Sequence, residues 1–225
     1  EIGQGMNGYN AMIDSLLEQM EATRRMEREK RDLERQMLIL QINPHFLYNT
    51  LDSIKWKAQA MDEPVISEMV TRLANMFRFS LDDGDGWTTL ERELEHVKNY
   101  VAIEQLRNPG RFRAIFHIQP ELLGANVLQL LLQPLVENAI RHGLNRREQK
   151  NGKLIVTAYL DNEDMVFTVE DNGPGPKPDK PGGIGIKNVE RRLKLNFGED
   201  YAIRFDHPAQ GFKVKLRHPL IRKID

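Results

Sequence analysis

Counting along the chain from Met12 in alternating steps of four and three keeps meeting apolar side chains. Leu16, Met26, Leu33, Met37 and Leu40 fall on one seam. Beyond Pro44 the register continues through Leu47, Leu51, Ile54, Ala58 and Met61. An apolar seam sustained this long predicts a coiled coil or a helical bundle. The stretch between Glu18 and Arg35 is densely charged, as the outward faces of a long exposed helix would be. After Pro64 a second pattern places Val65, Ile66, Met69, Val70, Leu73, Met76, Phe77 and Leu81 on one helical face. Asp62 and Glu63 before Pro64 suit a helix start. The breaker at Asp82–Gly86 ends the pattern. Helix, turn, helix predicts an antiparallel hairpin. Its polar-flanked seam needs a partner, and two hairpins from two chains would form a four-helix bundle.

From Thr88 the pattern changes. Thr88 with Glu91 reads as a capping box for the helix "LERELEHVKNYVAIEQLR", which "NPG" ends. "RFRAIFHI" alternates like a strand, and "VLQLLLQPLVENAIRHGL" reads as a second helix. "KLIVTAYLD" and "DMVFTVED" flank a polar turn at Asn162–Glu163 and predict a β-hairpin. A Gly- and Pro-rich loop follows, then a helix over "IKNVERRLKLNFG", then closing strands in "YAIRFDH" and "GFKVKLRH". Strands interleaved with helices and paired locally predict an α+β layered sandwich.

Charge removes several functional classes. The 225 residues carry 32 basic and 33 acidic side chains, a net charge of −1, with no one-signed block, so no nucleic acid partner is expected. Without cysteine there is no disulfide framework and no thiolate metal site, which fits a reducing compartment. No apolar run reaches the ~18 residues needed to span a bilayer. The first residue is Glu1, which suggests a fragment of something longer.

Two places carry candidate chemistry. The first is "QINPHFLYNTLDSI" (residues 41–54). Pro44 lacks an N–H and clashes with the carbonyl four residues back, so the helix should bend near Leu40. His45 then lies one step off the seam, towards solvent. It has no good metal-binding partner at helical spacing, since Asn49 is a poor ligand. An exposed nucleophile and an incidental surface histidine are both compatible with that placement.

The second is a set of three stretches. "EDNGPG" ends a strand with an acid followed by spaced glycines, "GGIGIKNV" opens a helix, and "VENAIRHG" lies on a helix upstream. Together they describe a nucleotide pocket. A carboxylate at a strand end accepts the adenine amino group, glycines admit close backbone approach, and a helix start faces phosphates. Asn138 offers a neutral oxygen to Mg²⁺. The pattern is neither a P-loop nor a dinucleotide fingerprint.

With these motifs in view, the chain resembles the sensor histidine kinases of the LytS/YesM type, whose ATPase domain has the Bergerat (GHKL) fold. The resemblance implies that His45 in "QINPHFLYNTLDSI" is the phosphoacceptor. It implies that "LQPLVENAIRHG" is the N box, with Asn138 on Mg²⁺ and Arg141 or His142 near the phosphates or sugar. "DNGPG" would be the first glycine box, with Asp171 on adenine beside Gly173 and Gly175. "GGIGIKNVERRL" would be the second, with Gly183, Gly185, Ile186 and Asn188 around the phosphates. "TLERELEHVKNYVAIEQLR" would be the linker into the catalytic domain, and "EIGQGMNGYNAMID" resembles the end of a HAMP relay.

The implied organisation is a relay end and coiled-coil helix at 1–40, a dimerising phosphotransfer hairpin at 41–86 and an ATP-binding domain at 87–225. The implied setting is the cytoplasmic portion of a bacterial membrane receptor. It would work as a homodimer with ATP and Mg²⁺ and pass phosphate to an aspartate of a response regulator; the bundle would also serve as a phosphatase. Three features depart from the family pattern. "ANVLQLLLQP" lacks the usual proline pair, Phe212 replaces a small residue in "AQGFKVKL", and the segment "PKPDKP" should be a short, proline-rich lid. Phe46 stands where many histidine kinases place an acid, so a base must come from elsewhere. Glu137 is the candidate, with Asn49 orienting the imidazole from one turn away. Two other classes compete: a GHKL ATPase that activates water, and a nucleotide-sensing dimer without phosphotransfer. Pro134 stands where the water-activating glutamate of the first would be, and the second should show a damaged acceptor box.

Overall fold

A computed structural model of the chain describes residues 44–81, 86–147, 150–174, 183–206 and 211–222. The expected seam before Pro44, the HAMP-like start, the bend near Leu40, Gly175 and the "PKPDKP" lid lie outside the described residues. The chain divides into two compact units, Glu1–Thr50 and Leu51–Asp225.

Helix α1 spans Pro44–Ala60, and proline at its first position needs no intrahelical acceptor for a missing N–H. A turn with Asp62 at φ 56° leads to α2, Pro64–Ser80, which again opens on proline. Only Leu51 and Ala58 of α1, and Ser67, Ala74 and Phe79 of α2, are buried. Ile54, Met61, Val65, Ile66 and Leu73 stay exposed, so the expected apolar face exists and is uncovered in one chain.

The rest is a two-layer sandwich. Its sheet runs β2 (Phe112–Ile118), β4 (Gly152–Asp161), β5 (Asp164–Asp171), β7 (Phe212–Pro219), β6 (Arg204–Asp206). β2 and β4 pair parallel, and the remaining neighbours pair antiparallel. Period-2 alternation sends Leu154, Val156, Met165, Phe167, Val169, Val214 and Leu216 to one buried face. Outward-facing neighbours pair across strands instead, as in Thr157 with Thr168 and Lys213 with Glu170. Three helices cover the apolar face: α3 (Leu90–Arg107), α4 (Gln133–Asn138) and α5 (Ile184–Phe197). Leu90, Leu94, Val97 and Val101 form the stripe of α3 that enters the core.

Two local expectations are corrected. Thr89 rather than Thr88 caps α3, accepting the Arg92 N–H at 3.4 Å, while the Thr88 hydroxyl is buried with no partner among the described residues. Thr88 is held instead in a short strand, β1 (Trp87–Thr89), paired with β3 (Asn126–Leu128). The second correction follows from that pairing. The stretch from Val127 is not helical throughout: Val127 and Leu128 belong to β3, Leu130 has φ 56°, and α4 begins only at Gln133. A strand partner captures the first residues of an apolar run that helical spacing alone would extend. After Asn138 the coil widens into a π-helical turn, Ala139–Gly143, before a 3₁₀ turn at Leu144–Arg146.

Candidate nucleotide and phosphoacceptor sites

In the first unit His45 stands exposed in the opening turn of α1. The Asn49 amide lies 3.1 Å from its Nδ1, one turn on. The expected orienting contact is therefore present. An asparagine can serve either imidazole tautomer. Its amino group donates to a bare Nδ1, and its oxygen, after a half-turn of the amide, accepts from Nδ1–H. Only the second arrangement leaves the Nε2 lone pair available to attack.

The nucleotide residues gather in the second unit. Asp171 ends β5 and is 2% exposed. Its Oδ1 accepts the Gly173 N–H at 2.8 Å. Burial pushes its pKa up to about 6, against the lowering effect of the Gly173 hydrogen bond. Two glycines close around this carboxylate. A Cβ on Gly143 would strike the Asp171 carboxylate, and a Cβ on Gly173 would fall 2.5 Å from Gly143 Cα. Gly211, at φ 99°, lies so close to the Asp171 carbonyl that a Cβ there would collide with it. A buried carboxylate kept partly ionised, in a wall only glycine can line, suits an exocyclic amine with a flat base behind it.

A cavity of about 260 Å³ brings the N box against the second glycine box. Pro134, Glu137, Asn138, Arg141 and His142 form one wall, and Gly183 through Ile186 form the other. Gly185 allows the approach, since a Cβ there would meet Pro134 at 3.2 Å. Gly183 is the N-cap of α5 and offers no side chain, so among the described residues the first N–H groups of this 14-residue helix have no side-chain cap. That end suits phosphate oxygens. Ile186 is buried and anchors the wall from behind, while Asn188 is exposed further along α5 and is not among the residues lining this cavity. Glu137 is engaged with Arg141 at 2.8 Å along the helix. Among the described residues no three His, Asp or Glu side chains cluster to hold a metal. A cation beside Asn138 would take most of its ligands from phosphate and water, as Mg²⁺ does.

Sequence reasoning missed the backbone of this site. Gly143 was visible only as the last letter of "VENAIRHG", although it shapes the Asp171 pocket. Arg147 donates to the Asn172 carbonyl and, at 2.5 Å, to Asn151 Oδ1. Asn172 Oδ1 accepts the Lys153 N–H at 2.7 Å, fixing the strand end that carries Asp171. No periodicity or motif signals these long-range links.

A helical pair leads into a sheet covered by helices, with a buried, glycine-walled carboxylate and a glycine-opened helix start, an arrangement that fits a nucleotide-binding domain after a helical segment. Residues 33–112 match the Histidine kinase family, and residues 124–222 match the Histidine kinase-, DNA gyrase B-, and HSP90-like ATPase family. The chain is 34% identical to the sensor histidine kinase YesM of Bacillus subtilis over 230 residues, covering 100% of this chain and 40% of that protein. It is 34% identical to the sensor histidine kinase BtsS of Escherichia coli, covering 86% and 35%. It is 30% identical to the sensor histidine kinase/phosphatase LytS of Staphylococcus aureus, covering 80% and 33%. The histidine kinase domain of a blue-light activated kinase from Erythrobacter litoralis superposes with a TM-score of 0.48 at 17% identity, covering 79% of this chain and 86% of that one. The chain belongs to the sensor histidine kinases. It spans between 33% and 40% of the length of these three relatives.

Proposed function

We propose that this chain is the kinase portion of a two-component sensor, in which His45 receives the γ-phosphoryl group of ATP and yields it to an aspartate of a response regulator. The observation that carries this reading is the exposed His45 with Asn49 at its Nδ1, in a chain whose other unit holds the glycine-walled Asp171. ATP, when bound, supplies the phosphoryl group. Asp171 holds the adenine amine, the opening N–H groups of α5 hold phosphate, and Asn138 contributes one oxygen to Mg²⁺. Arg141 and His142 line the same cavity and suit phosphate or ribose.

His45 attacks through Nε2 while Asn49 keeps the proton on Nδ1. A neutral imidazole is a competent nucleophile towards phosphorus. Phosphoryl transfer asks mainly for alignment and charge neutralisation, so a strong base is not required. The bond from Nε2 to the γ-phosphorus forms as the bond to ADP breaks, and Glu137, beside the proposed Mg²⁺ ligand in sequence and paired with Arg141, is the candidate acceptor for the Nδ1 proton after transfer.

Functionally the chain divides at 1–40, 41–86 and 87–225, as relay, phosphotransfer hairpin and ATP-binding domain. The uncovered stripe on α1 and α2, including Val65, Ile66 and Leu73, supports a homodimer joined through the hairpins. In this reading the full-length protein is anchored in a membrane through a preceding HAMP relay and transmembrane segment, with the kinase in the cytoplasm. The name of the LytS relative supports a phosphatase activity as well.

The test is incubation with γ-labelled ATP. Acid-labile label on the chain, absent from His45→Gln while that variant still binds nucleotide, is the expected result. Label that persists on His45→Gln, or a nucleotide-bound wild-type chain that never acquires label, overturns the reading.

A further inference from the structure

Glu93 lies in the first turn of α3 and is completely buried. A buried carboxylate needs strong partners. The nearby cation, Arg192 of α5, spends Nη1 on the Gln129 carbonyl at 2.7 Å. Glu93 turns instead to main chain. Its Oε2 accepts the Leu130 N–H at 2.9 Å and its Oε1 accepts the Leu132 N–H at 2.8 Å. The N–H groups of Leu131 and Gln133 also act to stabilise the charge, yet burial still raises its pKa to about 7.

The segment it grips is the entry to the N box. Leu130 takes a left-handed conformation, which a leucine adopts only when something holds it there. Leu132 is the N-cap of α4 and has no polar side chain to cap with. Glu93 supplies that cap from a different helix. One turn further along α3, His96 Nε2 lies 2.5 Å from Gln133 Oε1, gripping the first residue of α4. His96 is itself stacked on Phe79 of α2, with ring centroids 4.4 Å apart. Gln129, just before the gripped segment, donates to the Phe79 carbonyl at 2.6 Å. α4 has only six residues, so a change in where it starts reaches Glu137 and Asn138 within about one and a half turns.

We propose that Glu93 is a positioning residue for the nucleotide site: through the backbone of Leu130–Gln133 it sets where α4 begins, and so where Asn138 presents its oxygen. This rests on reading the Asn138 cavity as the Mg²⁺–phosphate site. Asp171 hangs from β5 and meets the turn after α4 only at Gly143, beyond Asn138, so losing the grip should affect metal-dependent binding more than adenine binding.

The experiment uses the 225-residue chain, with Glu93→Gln and Glu93→Asp. Gln keeps one acceptor but aims an amino group at the second N–H. Asp keeps the charge on a stem one methylene shorter. Titration calorimetry measures binding of a β,γ-imido ATP analogue with Mg²⁺ and with chelator, and hydrogen exchange follows the amides of Leu130–Asn138. In Glu93→Gln we expect at least fivefold weaker binding with Mg²⁺, less than twofold change with chelator, and faster exchange over Leu130–Gln133. Glu93→Asp should fall between Gln and wild type. Equal weakening in both conditions, or an unchanged Mg²⁺ dependence with loosened amides, would make Glu93 a purely structural residue and overturn the proposal. So would two variants that both fail to fold. Failure of the underlying reading looks different: the wild-type chain would itself bind the analogue no better with Mg²⁺ than without, and the positioning role would fall with it.

Discussion

Asp171 leaves no room for a side chain at Gly143, because a Cβ built there falls within reach of both carboxylate oxygens. The two residues come from different elements, the π-helical turn after α4 and the end of β5. Gly143→Ala must therefore push the carboxylate or the turn out of place. Overpacking of this kind costs about 1–3 kcal/mol. A lowered melting temperature together with at least tenfold weaker nucleotide binding is expected. Calorimetry showing wild-type affinity would mean that Asp171 does not contact the ligand.

Asp171 itself is expected to trade stability for binding. Its folded pKa, about 6, lies above the ordinary 3.8. The folded chain thus holds this proton more tightly than the unfolded chain, and the group's contribution to stability, full below pH 3.8, is lost as pH rises through 6. The difference corresponds to about 3 kcal/mol at most. Asp171→Asn keeps an oxygen for the Gly173 N–H and removes the charge. It should raise denaturant stability at pH 7.5 by about 1–2 kcal/mol while nucleotide affinity falls at least tenfold. Wild-type binding should also weaken as pH falls through 6. A destabilised Asn variant would contradict the desolvation account.

His218 should make the second unit acid-sensitive. It is fully buried on β7, against Phe197 and Trp87, and burial lowers its pKa to about 4. Its Nε2 has no partner among the described residues. The unfolded chain takes up this proton near pH 6.5 and the folded chain only near pH 4. Stability from this group is therefore full above pH 6.5 and declines by up to about 3 kcal/mol as pH falls to 4. In His218→Phe that part of the pH dependence should flatten, measured as melting temperature between pH 7 and 4. An unchanged slope would place the acid sensitivity elsewhere.

Asn49→Ala should separate positioning from binding. Phosphorylation of His45 is expected to slow about tenfold, because the imidazole loses the partner that fixes its tautomer. The affinity for nucleotide, held in the other unit, should not move. A parallel loss of affinity would argue against a role confined to the ring.

Charge placed on the uncovered stripe should separate the proposed dimer. Ile66 is 46% exposed in a single chain, and it is followed one and two turns on α2 by Val70 and Leu73. Ile66→Lys should shift the solution mass from two chains towards one at micromolar concentration while leaving the melting of the sheet domain, residues 87–225, intact. A dimer of unchanged strength would move the interface off this face.

The sequence by itself determined the strands of the sheet. The period-2 runs at 152–161, 164–171 and 212–219 became β4, β5 and β7, because alternation decides which face is buried before any partner is chosen. The asparagine in "VENA" and the glycines before "IKNV" line one cavity, and the acid before "NGPG" lies against the glycine that ends "VENAIRHG". What only the tertiary structure decided was where the helix bearing Asn138 starts and how the Asp171 carboxylate is walled by glycine. "VLQLLLQ" is apolar enough to continue a helix, but β1 captured its first residues, and a glutamate 37 positions upstream took the Leu130 N–H. Hydrogen-bond partners that distant in sequence leave no periodic trace, and a buried carboxylate outweighs the small differences of local propensity.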